Sequence, residues 1–204
     1  MQINSKYVMR WMEYMRNNPD NAYRFSECFW PSQIKSKDHI VQSVVDDDID
    51  RLWLKSLDSV YIFGGWYGML AQCLDSAFPK IKIKTIDIDP DCVDVFWQIN
   101  YDLDNNILPI TACMSEYEYE DEPSLIINTS VEHTEQSIYN IWWERIPDGT
   151  AYIIQGNNFF ECGEHIRCSK DIDSFIEMNN VQNCLFSGAI DCEQFERYYA
   201  IGVK

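Results

Sequence analysis

The chain has 204 residues, 46% hydrophobic and 14% aromatic, which is enough for one α/β domain with a full core and too little for two comfortable ones. Thirty-three acidic residues against 16 basic ones leave a net charge of −17. That is the wrong sign for displacing counterions from a phosphate backbone, so a nucleic-acid substrate is disfavoured.

Tyr7, Val8, Trp11, Met12 and Met15 recur at helical spacing, and the helix they predict stops before Pro19. Segment 19–37 is polar and reads as an irregular loop whose aromatics, Tyr23, Phe25, Phe29 and Trp30, pack on or cover something. A second helix is expected over 38–57, with Ile40, Val41, Val44, Val45, Ile49, Leu52 and Trp53 on one face and the DDDID run as solvated surface. Residues 1–58 thus form a helical extension, a possible lid carrying Tyr7, Trp11, Phe29 and Trp30. The opening MQINSKYVMRWMEYM lacks the apolar core of a secretory signal. No apolar run nears the roughly 20 residues that span a bilayer. A soluble, cytoplasmic protein is the expectation.

From Ser59 the rhythm becomes strand, helix, strand, helix through to the end, giving one compact unit over 59–204. Strand 59–63 leads into a helix near 66–77 with Leu70, Cys73, Leu74 and Ala77 inward. Strand 81–88 leads into a helix from Pro90, a favoured first-turn residue, with Val93, Phe96 and Trp97 on one face. Strands at 107–113, 124–128 and 151–155, an acidic loop at 115–123, and helices at 134–145 and 171–178 follow. Two last strands, 183–190 and 196–203, have no helix between them. Alternation of this kind implies an α/β fold, a Rossmann-like parallel sheet with helices on both faces, closed by a C-terminal antiparallel strand pair. Ligands of such sheets sit at the carboxyl ends of the strands.

The first strand of this unit runs into Gly64-Gly65-Trp66-Tyr67-Gly68. A dinucleotide fingerprint needs a second glycine where the backbone touches pyrophosphate; Trp66 or Tyr67 occupies that slot in either register. No Gly-Lys-Ser/Thr follows, which excludes a P-loop. A ligand without a pyrophosphate needs only a tight turn, from Gly64 and Gly65, and a close approach at Gly68. The helix start then offers N–H groups to a carboxylate. Asp87 lies 23 residues after Gly64, where an acid accepts ribose hydroxyls. Asp89 suits the cap of the helix at Pro90.

VYIFGGWYG, KTIDIDP and LIINTSVEH together resemble motifs of class I S-adenosylmethionine-dependent methyltransferases, over roughly residues 59–204. More narrowly, GGWYG with NTSVEH and QGNNFF is similar to small methyltransferases of tailed phages. The resemblance implies S-adenosylmethionine as cofactor, with Gly64, Gly65 and Gly68 around its methionine part and Asp87, next to Ile88, at the ribose. It places Cys113 and Met114 beside the adenine and Asn128 at the methyl-transfer mouth; the rings of Trp66 or Tyr67 line the pocket. Two departures stand out: Trp66 replaces the middle glycine, and Phe63 replaces the acid that precedes the turn.

Methyl transfer from a sulfonium requires a positioned acceptor and, for O–H or N–H acceptors, a base. Asn128, Glu132 and His133 are the catalytic candidates. Each has a structural reading beside the functional one: Asn128 closing a turn, Glu132 forming a capping box with Thr129, and His133 at a helix entrance. Gln155, Asn157 and Asn158, with His165 beyond them, offer polar substrate contacts or a plain turn. The eight cysteines, at 28, 73, 92, 113, 162, 168, 184 and 192, contain no CxxC and fit free thiols. Cys162, His165 and Cys168 hold zinc only with a fourth ligand, such as Cys184 or Cys192, and no metal is assigned. The expected acceptor is a small molecule or protein. The rivals are a protein that cleaves or sequesters the cofactor without transfer, and an acidic interaction or inhibitor protein on a degenerate methyltransferase fold.

Overall fold

Short β-branched and aromatic runs bounded by Gly, Pro and Asp place the strands, and their side chains alternate between two separate cores. The computed structural model describes residues 3–45, 57–103 and 105–204. Its strands are β1 (Ser59–Phe63), β2 (Lys82–Asp87), β3 (Ile107–Thr111), β4 (Leu125–Asn128), β5 (Ala151–Asn157), β6 (Cys184–Asp191) and β7 (Glu196–Val203). They form one sheet in the order β3-β2-β1-β4-β5-β7-β6. The first five strands are parallel, with β7 antiparallel to both β5 and β6. The strand order reverses beside β1, so the tips of β1 and β4 open the crevice expected of such sheets.

One face of the sheet presents Val60, Ile62, Ile83, Leu125, Ile127 and Ile153. It is covered by α1 (Ser5–Asn17), α3 (Pro31–Val45), α4 (Met69–Ala77) and α5 (Pro90–Asn100). The other face presents Tyr61, Phe63, Ile126, Tyr152 and Ile154 beneath α6 (Gln136–Arg145) and α7 (Ile172–Met178). Helices therefore cover both faces, as the alternation predicts. No helix among the described residues is long and apolar enough to cross a membrane.

The N-terminal part differs from its sequence reading. Segment 19–37 is not a loop: it folds as α2 (Pro19–Ser26), a 3-10 turn (Glu27–Phe29) and the first half of α3. Pro19 and Pro31 each open a helix, where a missing N–H costs nothing. The continuation of the second predicted helix through Ile49, Leu52 and Trp53, with the DDDID run, lies outside the described residues. Tyr7 and Trp11 belong to the core, not to a lid; they are buried with Tyr14, whereas Val8 and Met12 face outward. A buried polar chain fixes α1 on α4 and α5: Trp11 Nε1 donates to Gln72 Oε1 at 2.6 Å, and Gln72 Nε2 donates to Asn100 Oδ1 at 3.0 Å. Helix α4 starts at Met69, because 64–68 form the turn, and Ala77 is exposed; Trp97 also points outward. The third strand ends at Thr111, so Cys113 follows it. All eight cysteines are free.

Candidate functional site

Beyond Phe63 the backbone bends at once. Gly64 (φ 65°), Trp66 (φ 47°) and Gly68 (φ 78°) all occupy the left-handed region. A Cβ on Gly65 would lie 1.9 Å from Thr85 Oγ1, so only glycine lets the turn press onto β2. Trp66 adopts a left-handed backbone that favours glycine, at a cost of about 1–2 kcal/mol. The Asp87 carboxylate holds it there. Trp66 N–H donates to Asp87 Oδ2 at 2.8 Å, and Asp89 N–H donates to Asp87 Oδ1 at 3.0 Å. Gly65 N–H donates to Ile86 O at 3.0 Å. The glycine turn and Asp87 are thus tied together at neighbouring strand tips. Burial pushes the Asp87 carboxyl up, against the pull of these two amides. Asp89 caps α5 through Asp91 N–H at 3.0 Å and pairs with Arg24 at 3.2 Å.

These tips border a cavity of about 730 Å³, within the range of small-molecule sites. Gly64, Gly65, Trp66, Tyr67, Asp87, Ile88, Cys113, Met114, Glu132 and His133 all line it. Gly68 and Asn128 are not on its wall. Gly68 packs against Phe96, whose ring a Cβ there would meet at 2.3 Å. Asn128 is fully buried; its Oδ1 accepts Ser130 N–H at 3.0 Å, closing the turn after β4.

The β4 and β5 tips build the other wall. Glu132 is only 2% exposed, and its side chain does not form a capping box. Instead Oε1 accepts Asn157 Nδ2 at 2.5 Å and Arg197 Nη1 at 3.4 Å. Oε2 is buried without a partner. The Glu132 carbonyl receives Ile166 N–H at 2.9 Å and Arg167 N–H at 3.0 Å, which carries the loop after β5 back onto the 3-10 turn Val131–His133. His165 thereby meets His133, ring centres 4.7 Å apart and nearly perpendicular. His133 Nδ1 lies 3.2 Å from Glu164 O, and His165 Nδ1 lies 3.1 Å from Phe159 O. Burial lowers the His165 pKa. Gln155 Oε1 accepts from Ser36 Oγ, while its Nε2 is buried without a partner, and Asn158 is spent on Tyr198 and the Glu196 N–H. Cys168 turns toward Asn157 Oδ1.

The third wall comes from the N-terminal helices, through Arg24, Glu27, Cys28, Trp30, Gln33 and Lys37. Of the aromatics expected to cover the site, Trp30 reaches the cavity and is 48% exposed. Lys37 is a residue that the sequence reading missed, because it stands in a stretch read as loop. It is buried, donates to Gln33 Oε1 at 2.8 Å, and burial pulls its ammonium down to about 8 from an ordinary 10.5. Below about pH 8 the fold carries a buried charge. Between there and 10.5 the unfolded chain holds a proton the native one has lost, so stability rises with pH. Lys37→Met is therefore expected to raise stability at pH 7 by roughly 2 kcal/mol, the desolvation gain less one hydrogen bond. Urea denaturation at pH 7 and pH 10 checks this: the gain should nearly vanish at the higher pH.

No protein-family model and no curated protein matches the chain. Solved structures do. The N-methyltransferase NodS from Bradyrhizobium japonicum WM9, in complex with S-adenosyl-L-homocysteine, aligns with a TM-score of 0.65 at 10% identity, over 96% of this chain and 98% of its own. Magnesium protoporphyrin IX methyltransferase (ChlM) from Synechocystis PCC 6803, with bound SAM, aligns at 0.67 and 13% identity, over 100% and 98%. The PH0226 protein from Pyrococcus horikoshii OT3 aligns at 0.65 and 12%, over 84% and 92%. At such identities the likeness is one of fold: the chain has the Rossmann-like fold, with its antiparallel strand pair, that aligns with the two methyltransferases, NodS and ChlM.

Proposed function

We propose that this chain is an S-adenosylmethionine-dependent methyltransferase, with the cofactor across the tips of β1, β2 and β3 and the acceptor beside β4 and β5. The observation that carries it is the Asp87 carboxylate hydrogen-bonded to the backbone of the glycine turn. Each Asp87 oxygen accepts one backbone N–H and keeps a lone pair for a ribose hydroxyl. Exposed Ile88, with Ala112, Cys113 and Met114, supplies an apolar slot for a base. Glu27, Asp87, Asp89, Glu132, Glu135 and Glu164 outnumber Arg24, Lys37 and Arg197 around the cavity, a balance that favours a cationic guest. The Trp66 and Tyr67 rings, stacked at 5.0 Å, offer π-faces to the same charge.

S-adenosylmethionine supplies an electrophilic methyl on a sulfonium, transferred by in-line displacement. The protein orients the acceptor and excludes water. Glu132 and His133 form the acceptor wall, and Asn128 holds the turn that presents them. The acidic surface favours a small molecule or a protein as acceptor over a nucleic acid.

Asp87→Ala is expected to weaken S-adenosylhomocysteine binding by about 1.5–3 kcal/mol, roughly 10- to 150-fold. Calorimetry measures it, with circular dichroism confirming that the variant is folded. Equal affinity in a folded variant removes the ribose assignment. S-adenosylhomocysteine formation that requires an added acceptor separates transfer from mere cofactor cleavage.

A further inference from the structure

Among the described residues, one set of three metal-ligating side chains converges: Glu132, His133 and His165 each place a donor atom within 4.8 Å of the others. We propose that these three hold a borderline divalent cation, of the zinc or cobalt class, in the cavity wall.

Four features point the same way. First, the donor set of two imidazoles and a carboxylate suits first-row transition ions more than magnesium or calcium. Second, both imidazoles are oriented as metal-bound histidines usually are. His133 Nδ1 is at Glu164 O and His165 Nδ1 at Phe159 O; as carbonyls only accept, Nδ1 carries the proton and Nε2 keeps its lone pair. Third, Glu132 belongs to the cavity wall yet is only 2% exposed, and its buried Oε2 has no hydrogen-bond partner. A buried carboxylate oxygen left bare is costly, and a cation satisfies it. Fourth, Oε1 is already anchored by Asn157 and Arg197, so the carboxylate is held in place before any ion arrives.

A tetrahedral ion with bonds of about 2.0–2.1 Å spaces its ligands about 3.4 Å apart. The donors must therefore close by roughly 1.4 Å at most from their 4.8 Å limit. Rotation of His133, which is exposed, and His165, which is half-buried, provides this. Three protein ligands leave at least one position open. That position faces the cavity, where an acceptor's oxygen or nitrogen completes the shell; this last step rests on the methyltransferase reading, whereas metal binding does not.

The test is titration of the reduced, tag-free full chain with Co²⁺, followed by its visible absorption, and with Zn²⁺ by calorimetry. One ion per chain is expected, without the near-ultraviolet charge-transfer band of a cobalt thiolate. His165→Gln and Glu132→Gln should each weaken binding at least tenfold, while Cys162→Ser and Cys168→Ser leave it unchanged. His165 is half-buried, so its variant stays folded if Glu132→Gln does not. Absence of stoichiometric binding overturns the site, as does binding indifferent to His165→Gln or lost in the cysteine variants. An S-adenosylhomocysteine titration of the same samples scores the methyltransferase reading separately.

Discussion

Valine at position 68 is expected to destabilise the fold by roughly 2–5 kcal/mol. Gly68 has a φ of 78°, where a β-branched side chain is strained by about 1–2 kcal/mol or more. Its Cβ would lie 2.3 Å and 2.6 Å from two ring carbons of Phe96. Phe96 is 1% exposed in the core between α4 and α5 and has nowhere to swing, so overpacking adds about 1–3 kcal/mol. Urea denaturation reads the sum. Ligand binding fails with the packing, because Gly68 lies beneath the cavity instead of lining it. A valine variant within 1 kcal/mol of the parent, on the order of a surface substitution, would show that α4 and α5 do not approach as described.

Removing the Glu132 side chain should have an effect of similar size. Glu132→Ala leaves the Arg197 guanidinium buried, 4% exposed, with a carbonyl 3.5 Å away at Thr129 as its other acceptor. It also strips Asn157 Nδ2 of its acceptor at 2.5 Å. An ion pair broken on one side inside a protein costs about 3–5 kcal/mol. Removing both charges is far milder: Glu132→Leu with Arg197→Met should return to within about 1 kcal/mol of the parent. Denaturation in chelator-treated buffer isolates the protein term from any bound ion. A single variant that costs under 1 kcal/mol, the scale of an exposed pair, would contradict the burial of this pair.

The strands from Ser59 onward were readable because each is a short apolar run ended by a residue with a definite backbone habit. Asp87 opposite the glycine turn was readable for the same reason, as parallel strands bring the two tips side by side. Helix α2 and the first half of α3 were not, although the second half of α3, with Ile40, Val41 and Val44 inward, was. PDNAYRFS and PSQIKSKDH carry too few apolar residues to show a helical period, and their stability comes from packing on neighbouring elements, as Phe25 does on Tyr14, Phe29 and Tyr67. The prolines at their first positions were the available signal: α1 does stop before Pro19, and the same proline also starts α2. Lys37 was hidden with them, since burial is a tertiary property. Glu132 and His133 stood out beside β4, but their meeting with His165 depends on two backbone hydrogen bonds to the Glu132 carbonyl, which no spacing encodes.

Helices α2 and α3, with the turn between them, provide one wall of the cavity, and the anchors of α3 lie far along the chain. Ser36 Oγ donates to Gln155, 119 residues away, and Lys35 Nζ donates to the Asp191 carbonyl, 156 residues away. During synthesis α3 therefore emerges long before the surface it settles on, which is complete only once β5 and the β6-β7 hairpin have followed. Contacts of such long separation slow folding. The wall that α3 supplies must wait for that hairpin, so the ligand chamber closes late in folding.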